Sequence, residues 1–237
     1  MRVNGPELLT FTLIFVAILV NVGLYGGFIE AYDPPGGAPN AEERDARRAA
    51  AEQAERDDSD SLPGRFVATQ GRKHTGAWPL DASARIPFCR EGEIADTCYA
   101  SNPPTSGLHV PVARVVVIDG ALINLPPEPG IYDVEIPREA IPHLQEHAGV
   151  YVGYNCGSDA CDAAVAQMRT LVKQELSLGA RVIMSPDSDL AEDTIGLASW
   201  TRFDTFDAEQ YTDGRVRSFI KAHSCRFDPE GFCAERP

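Results

Sequence analysis

The sequence predicts a single extracytoplasmic domain of mixed α and β structure, α/β or α+β with one mixed sheet, behind one N-terminal transmembrane helix. Three observations predict this architecture: an uncharged apolar run at residues 8–28, six cysteines in three close pairs, and a strand–helix–strand pattern in the second half of the chain. A chain of 237 residues usually makes one or two domains, and the N-terminal segments leave about one.

The apolar run supports a membrane anchor. Residues 8–28 are dominated by Leu, Ile, Val and Phe. Their number is close to the roughly 20 residues that cross hydrocarbon as a helix, and it exceeds the apolar stretch of an ordinary cleaved signal peptide. Arg2 precedes the run, and Glu30 and Asp33 follow it. The positive-inside rule therefore places residues 1–7 in the cytoplasm and the main domain in the periplasm or outside the cell.

Residues 29–65 have the composition of a tether. A stretch rich in Pro, Gly and Ala is followed by strong helix formers with many charges and no apolar stripe. This pattern predicts a solvated spacer helix or a disordered tether. The folded domain is predicted at residues 66–237, with Trp78, Phe88 and Tyr99 as core contacts of its loop-rich first part.

The cysteines indicate an oxidising compartment. An even number of cysteines outside the cytoplasm implies disulfides, although proximity in sequence does not by itself choose among the possible connectivities. We predict local pairing. No C-x-x-C is present, which argues against a zinc knuckle and c-type haem. The predicted pairs are Cys89 with Cys98, Cys156 with Cys161, and Cys225 with Cys233.

The charge balance argues against a nucleic-acid partner. The formal net charge is -14 and the Lys and Arg residues form no basic stripe. Phosphate contacts need clustered basic side chains.

Hydrophobic periodicity predicts the elements of the folded domain. A helix begins at Ser158 or Asp159, which can cap it, and Gly179 ends it. Because strands precede and follow this helix, a βαβ unit with a parallel pair of strands is expected. Strands are predicted at residues 110–118, 150–154, 181–184 and 195–200, and a last helix at 208–222.

Three histidines form the main functional clue. His109 follows the rigid segment NPPTSGL, while His143 and His147 are four residues apart and would share one helix face. Pro142 and Gly149 limit that helix to little more than one turn. Three imidazoles with an open fourth position suit zinc, and they suit copper comparably well.

Other interpretations of these residues remain open. Each histidine alone is more typical of a polar surface or a satisfied core position, and the polar contexts of His74 and His223 favour the surface interpretation. The H-x-x-E-H pattern also matches the inverzincin peptidases, in which Glu146 would activate water. Enzyme activity is therefore left open, with a zinc-dependent hydrolase as the form it would take.

Three segments resemble a known family: YASNPPTSGLH at residues 99–109, HLQEHAGVYVGY at 143–154, and VIMSPDSDL with IGLASWTRF within 182–203. On these, the chain is similar to the bacterial family called domain of unknown function 3105 over roughly its last two thirds. The family has no assigned activity, and its members often carry an N-terminal membrane helix.

The family pattern maps onto His109, His143, Glu146 and His147. Two positions depart from it. Gln145 stands where Leu is usual, which we interpret as exposure. Ala148 stands where Gly is typical, which is expected to shift the exit of the turn and the aim of the preceding His147. The local cysteine pairs are not part of the pattern.

The leading hypothesis is a membrane-anchored domain that binds copper or zinc through His109, His143 and His147, with a role in metal binding, delivery or redox support. A second hypothesis is an accessory or interaction subunit of a larger membrane protein complex. A third is an H-x-x-E-H metallohydrolase with Glu146 as the catalytic base.

Overall fold

The computed structural model describes residues 40–76, 85–90, 93 and 95–233. The chain divides after Asp45, and everything below from Ala46 onward belongs to the unit that begins there. The helices are α1 Ala41–Arg56, α2 Ile141–Glu146, α3 Asp159–Ser177 and α4 Asp213–His223, with 3-10 turns at Arg138–Ala140 and Ala208–Gln210. The strands are β1 Arg65–Phe66, β2 Ala113–Ile118, β3 Ala121–Leu125, β4 Gly130–Ile131, β5 Val150–Asn155, β6 Val182–Pro186, β7 Thr194–Ser199 and β8 Arg202–Asp207.

Six strands form one mixed sheet in the order β1-β8-β7-β5-β6-β4. β5 and β6 are parallel, as are β4 and β6, whereas the β5–β7, β7–β8 and β1–β8 pairs are antiparallel. Because α3 connects the parallel strands β5 and β6, the predicted βαβ unit is confirmed. The predicted mixed-sheet fold class is confirmed with it.

The sheet separates two apolar cores. Side chains alternate along a strand, so Val150 and Val152 pack with α3 and α4 on one face, while Tyr151 packs with α2 on the other. All three side chains are fully buried. The second core holds Ile141 and Leu144 of α2, and it therefore fixes the helix that carries the H-x-x-E-H segment.

The helix boundaries follow from their capping residues. Ser158 Oγ accepts a hydrogen bond from Cys161 N at 3.3 Å, and Gly179 adopts a φ of 85° just beyond the end of α3. These predictions are confirmed. The last helix is shorter than predicted, because extended backbone at Tyr211 and Thr212 separates the 3-10 turn at Ala208–Gln210 from α4.

The predicted strand at 110–118 begins later and lies outside the main sheet. β2 pairs with β3 as a separate two-stranded sheet. Asp119 and Gly120 connect them with φ angles of 47° and 82°, the left-handed pair that a tight hairpin turn requires. Val110 instead belongs to an extended segment that serves the site described below.

The second half of α1 differs from the expectation of a wholly solvated spacer. Ala51 and Ala54 are buried against Trp200 and Phe227, and Trp200 Nε1 donates to Glu55 Oε1 at 3.1 Å. The contact uses methyl groups in an otherwise charged helix, which is why no apolar stripe was visible in the sequence.

Three disulfides join the predicted cysteine pairs: Cys89–Cys98, Cys156–Cys161 and Cys225–Cys233. Local pairing is therefore confirmed, and disulfides are consistent with an extracytoplasmic domain. Tyr99 is buried beneath a half-buried Phe88, their ring centroids 6.2 Å apart.

None of the helices in the described part of the chain is long and apolar enough to cross a membrane. The predicted span at residues 8–28 lies outside the described residues, as does Trp78, and both stay predictions.

The turn after α2 yields a stability prediction. A Cβ on Gly149 would lie 2.3 Å from Leu144 Cδ1 and 2.8 Å from the Leu144 carbonyl oxygen. Gly149→Ala should therefore lower the free energy of unfolding by about 1–3 kcal/mol, measured by urea denaturation. The matched control is Gly214→Ala in α4, where a Cβ meets nothing within 4 Å. That substitution should stabilise by about 0.4–1 kcal/mol. Equal effects of the two would contradict the packing described.

Acid sensitivity is predicted at His223, which is buried and whose Nε2 donates to the Pro63 carbonyl oxygen at 2.8 Å. Burial lowers the pKa of His223 from 6.5 to about 4. Between about pH 6.5 and 4 the His223 ring is therefore protonated in the unfolded chain but neutral in the folded chain. The free energy of unfolding falls as the pH drops through this range. The full loss from this group is about 3 kcal/mol.

The measurement is urea unfolding of the wild type and His223→Gln between pH 7.0 and 4.5. The wild type should lose about 2–3 kcal/mol more than the variant over this interval. Parallel pH profiles for the two proteins would contradict the buried neutral state of His223.

Candidate metal centre

Backbone hydrogen bonds place His74 beside His109. His109 N donates to the Lys73 carbonyl oxygen at 3.0 Å, and Thr75 N donates to the His109 carbonyl oxygen at 2.7 Å. The two histidines thereby form a parallel β-bridge between segments that are distant in sequence. Gly107, with a φ of 106°, turns the chain into this position.

His143 comes from the short helix α2. Its residues Ile141–Glu146 are all buried, and Pro142 lies in the first turn, where its missing N–H costs no hydrogen bond. The prediction of a helix of little more than one turn is confirmed. Gln145 is 1% exposed and its Nε2 donates to the Pro104 carbonyl oxygen at 2.8 Å, so the interpretation of Gln145 as an exposed residue is wrong.

Two backbone carbonyl groups fix the buried imidazoles. His109 Nδ1 lies 2.9 Å from the Gly107 oxygen, and His143 Nδ1 lies 2.8 Å from the Val110 oxygen. A carbonyl oxygen only accepts, so each Nδ1 must carry a proton. In the neutral rings, each Nε2 then keeps its lone pair. Burial lowers the pKa of His143 more than the Val110 hydrogen bond raises it, which favours the neutral ring.

The structure groups His74, His109 and His143. Their candidate ligand nitrogens all lie within 4.8 Å of one another. The ring centroids of His109 and His143 are 5.0 Å apart, and the centroid of His74 lies 4.8 Å and 5.4 Å from theirs. Two nitrogens at about 2.0–2.1 Å from one zinc ion are at most about 4 Å apart. The nitrogens would have to move closer to bind one ion, and the exposed His74 has room to move.

The structure does not include His147 in this group. The helical spacing does bring its ring to 4.6 Å from that of His143. However, His147 Nε2 lies 3.3 Å from Glu230 Oε2, and its ring stacks on Phe232 with centroids 4.1 Å apart. Burial, aided by the nearby His143, lowers the pKa of His147 to about 4. His147 thus lies beside the three-histidine group, with its Nε2 directed at Glu230.

Glu146 faces the buried nitrogen of His109. Its Oε2 lies 3.3 Å from His109 Nε2, and its Oε1 lies 3.6 Å from Arg72 Nη1. His109 is fully buried, and its Nε2 has no well-aligned hydrogen-bond partner among the described residues. Burial acts to raise the pKa of Glu146, but His109 and Arg72 together outweigh it and lower that pKa. An anionic carboxylate therefore points at an imidazole nitrogen.

Ala148 takes up the left-handed conformation that the family position favours for glycine. Its φ is 65°, and its N–H donates to the Gln145 carbonyl oxygen at 3.1 Å. Alanine therefore makes this turn despite its Cβ.

Three neighbouring acidic side chains, those of Glu135, Asp187 and Asp189, form a second group of possible metal ligands. Glu135 accepts from Ser188 N at 3.1 Å, Asp187 accepts from Tyr151 Oη at 3.2 Å, and Asp189 pairs with Arg138 at 2.5 Å. Each of the three carboxylates therefore has a protein partner outside the group.

A family model described as "Protein of unknown function (DUF3105)" matches residues 93–235, which is more than half of the chain. The chain belongs to this family. The resemblance of the three sequence segments is thereby confirmed. The matched region contains His109, His143, Glu146 and His147, whereas His74 precedes it. No curated protein and no solved structure matches the chain.

Sequence reasoning missed His74 because its neighbours are polar and its partner is 35 residues away. Only the bridge between His74 and His109 reveals it, and the sequence gives no local signal for that pairing.

Proposed function

We propose that this protein binds a transition-metal ion, zinc or copper, through His74, His109 and His143, with a role in metal binding, delivery or redox support. The observation that carries the proposal is the buried Nε2 of His109, which has no aligned partner and faces the carboxylate of Glu146 at 3.3 Å.

This arrangement calls for a positive charge. The Gly107 carbonyl oxygen accepts a hydrogen bond from His109 Nδ1, so a neutral ring would direct its Nε2 lone pair at an anionic oxygen. Such a contact is repulsive in a buried site, where charges are weakly screened. A proton or a metal ion removes the repulsion, and the second imidazole and His74 supply further nitrogen donors for a metal.

The donor set suits zinc and Cu²⁺. Imidazole nitrogen is a good ligand for both ions. All six cysteines form disulfides, so the protein offers no thiolate beside the histidines. The carbonyl groups of Gly107 and Val110 orient the rings from behind, as outer partners of metal-binding histidines commonly do.

The proposed setting is a domain outside the cytoplasm, anchored by residues 8–28 with the N-terminus inside. The three disulfides support the compartment, and the uncharged apolar run supports the anchor. The acidic charge balance argues against nucleic-acid partners.

A second candidate function is metal-dependent hydrolysis, favoured by the position of Glu146 beside His109 Nε2. There Glu146 would accept a proton from the attacking water. Glu146→Gln would then retain the metal and abolish turnover. Retained turnover in this variant would exclude Glu146 as the base.

The test of metal binding compares His74→Ala with His147→Ala in the full-length chain, purified without a polyhistidine tag. Both side chains lie at the edge of the cluster, so both variants should fold. Zinc and Cu²⁺ affinities are measured by chelator competition, and stoichiometry by elemental analysis. His74→Ala should weaken binding by at least about 100-fold, because outer-shell changes alone typically cost about 10–100-fold.

His147→Ala should weaken metal binding by less than about 10-fold, since its side chain lies beside the group and its removal leaves the three donors in place. The reverse order of effects would restore His109, His143 and His147 as the ligand set. Absence of stoichiometric metal in the wild type after reconstitution, with circular dichroism confirming the fold, would contradict the proposal itself.

A further inference from the structure

Most of the exposed apolar bulk of the described residues is gathered on one surface. Six large hydrophobic side chains are exposed among the described residues, and one of them, Leu178 at the end of α3, lies away from this surface. The remaining five define what we call the hairpin surface: Val112, Val115, Val117, Leu122 and Phe232, each between 45% and 75% exposed. Concentrations of this kind mark interaction sites, whereas single exposed apolar residues are ordinary.

The geometry of the hairpin makes this surface continuous. Val117 pairs directly with Leu122 across β2 and β3, so their side chains are neighbours on one face. The alternate residues Ile123 and Leu125 point inward and are buried in the second core. Both faces of β3 therefore carry apolar side chains, and no described element covers the outer face.

A cavity of about 460 Å³ adjoins the hairpin surface. Its apolar walls come from Val112, Val115, Leu125, Pro126 and Phe232, and its polar lining includes His147. Cavities of about 300–1,000 Å³ accommodate drug-sized molecules, and one large apolar side chain fits easily. Interfaces commonly use such a pocket to hold an anchor residue.

The charges around the surface are mostly acidic, although the Arg181 guanidinium lies 5.0 Å from the centroid of the Phe232 ring. Asp119 lies at the hairpin turn, Glu128 lines the cavity, and Glu230 stands beside His147 at its wall. The whole chain has a net charge of -14. An acidic rim disfavours the anionic surface of a lipid bilayer and favours a partner whose apolar centre is flanked by basic residues.

We propose that the hairpin surface docks an apolar polypeptide segment flanked by lysine or arginine, with one large apolar side chain seated in the cavity. This docking does not require a metal. It would, however, hold the partner next to the metal centre, because the His147 ring that lines the cavity lies 4.6 Å from the ring of the proposed ligand His143.

The probe is a random-peptide phage library selected on the immobilised full-length chain. Retained phage are then tested for binding to the double variant Val115→Ser/Leu122→Ser. This variant removes apolar area at two exposed positions and leaves every buried side chain unchanged. Leu178→Ser is the matched control, since Leu178 is 71% exposed and lies outside the surface. Retained peptides should combine an apolar centre with Lys or Arg on its flanks.

Fluorescence anisotropy of a retained peptide should show at least about 10-fold weaker binding to the double variant and unchanged binding to Leu178→Ser. Added salt should weaken binding to the wild type. Three results would overturn the proposal: peptides that bind the double variant equally well, retained peptides without basic flanks, or sedimentation showing that the surface instead joins two copies of the chain. The His74→Ala variant should bind the peptide normally, which separates this test from that of the metal centre.

Discussion

The hydrogen bond from His143 Nδ1 to the Val110 carbonyl oxygen joins the two segments on which the candidate metal centre depends. The same Val110 peptide unit donates its N–H to the Glu139 carbonyl oxygen at 2.8 Å. The N–H and the carbonyl group of Val110 thereby both bind the region of α2, and they hold the segment that carries His109 against it. Loss of such a buried partner costs about 1–3 kcal/mol, more than the net contribution of the bond itself. The histidine cluster thus rests on contacts that also stabilise the fold.

These contacts explain how a carboxylate and two imidazole rings come to share a buried site. The second core fixes α2 through Ile141 and Leu144, and the bridge to His74 fixes the other side. The imidazoles cannot turn away without breaking hydrogen bonds to carbonyl groups. Glu146 is held by Arg72 as well as by its position on α2. The proposed metal ion would bind a site in which the orientations of the His109 and His143 rings are set before it arrives.

The sequence was most informative where structure is determined locally. Ser158 and Gly179 delimit α3 through their own hydrogen-bonding and conformational preferences, and the apolar periods predict β5 and β6. His109 and His143 were predicted from an ordered loop and a short helix. His74 was missed because a β-bridge between distant segments leaves no periodic pattern.

The expected role of His147 depended on helical spacing alone, which brought its ring near His143 but did not set the direction of its nitrogen. Glu230 and Phe232 set that direction, and they lie in a loop closed by the Cys225–Cys233 disulfide. The packing of α1 escaped prediction for a different reason, because it uses Ala51 and Ala54 in place of large apolar side chains.

The proposed metal centre and the hairpin surface adjoin at His147, yet they are built from different physical elements. The histidine group depends on buried ring nitrogens that backbone carbonyl groups hold in place. The hairpin surface depends on apolar side chains of β2 and β3 that face outward. A partner docked on the hairpin surface would therefore lie beside the proposed metal centre.

The most direct test of the account is nitrogen-15 NMR of the histidine rings in the full-length protein, before and after zinc is added. The account predicts a proton on Nδ1 of His109 and His143, and a zinc-induced shift at Nε2 of both rings and at the ring of His74. A His109 ring that carries protons on both nitrogens and does not respond to zinc would show that Glu146 forms an ion pair with a protonated His109 instead. That result would contradict the metal centre.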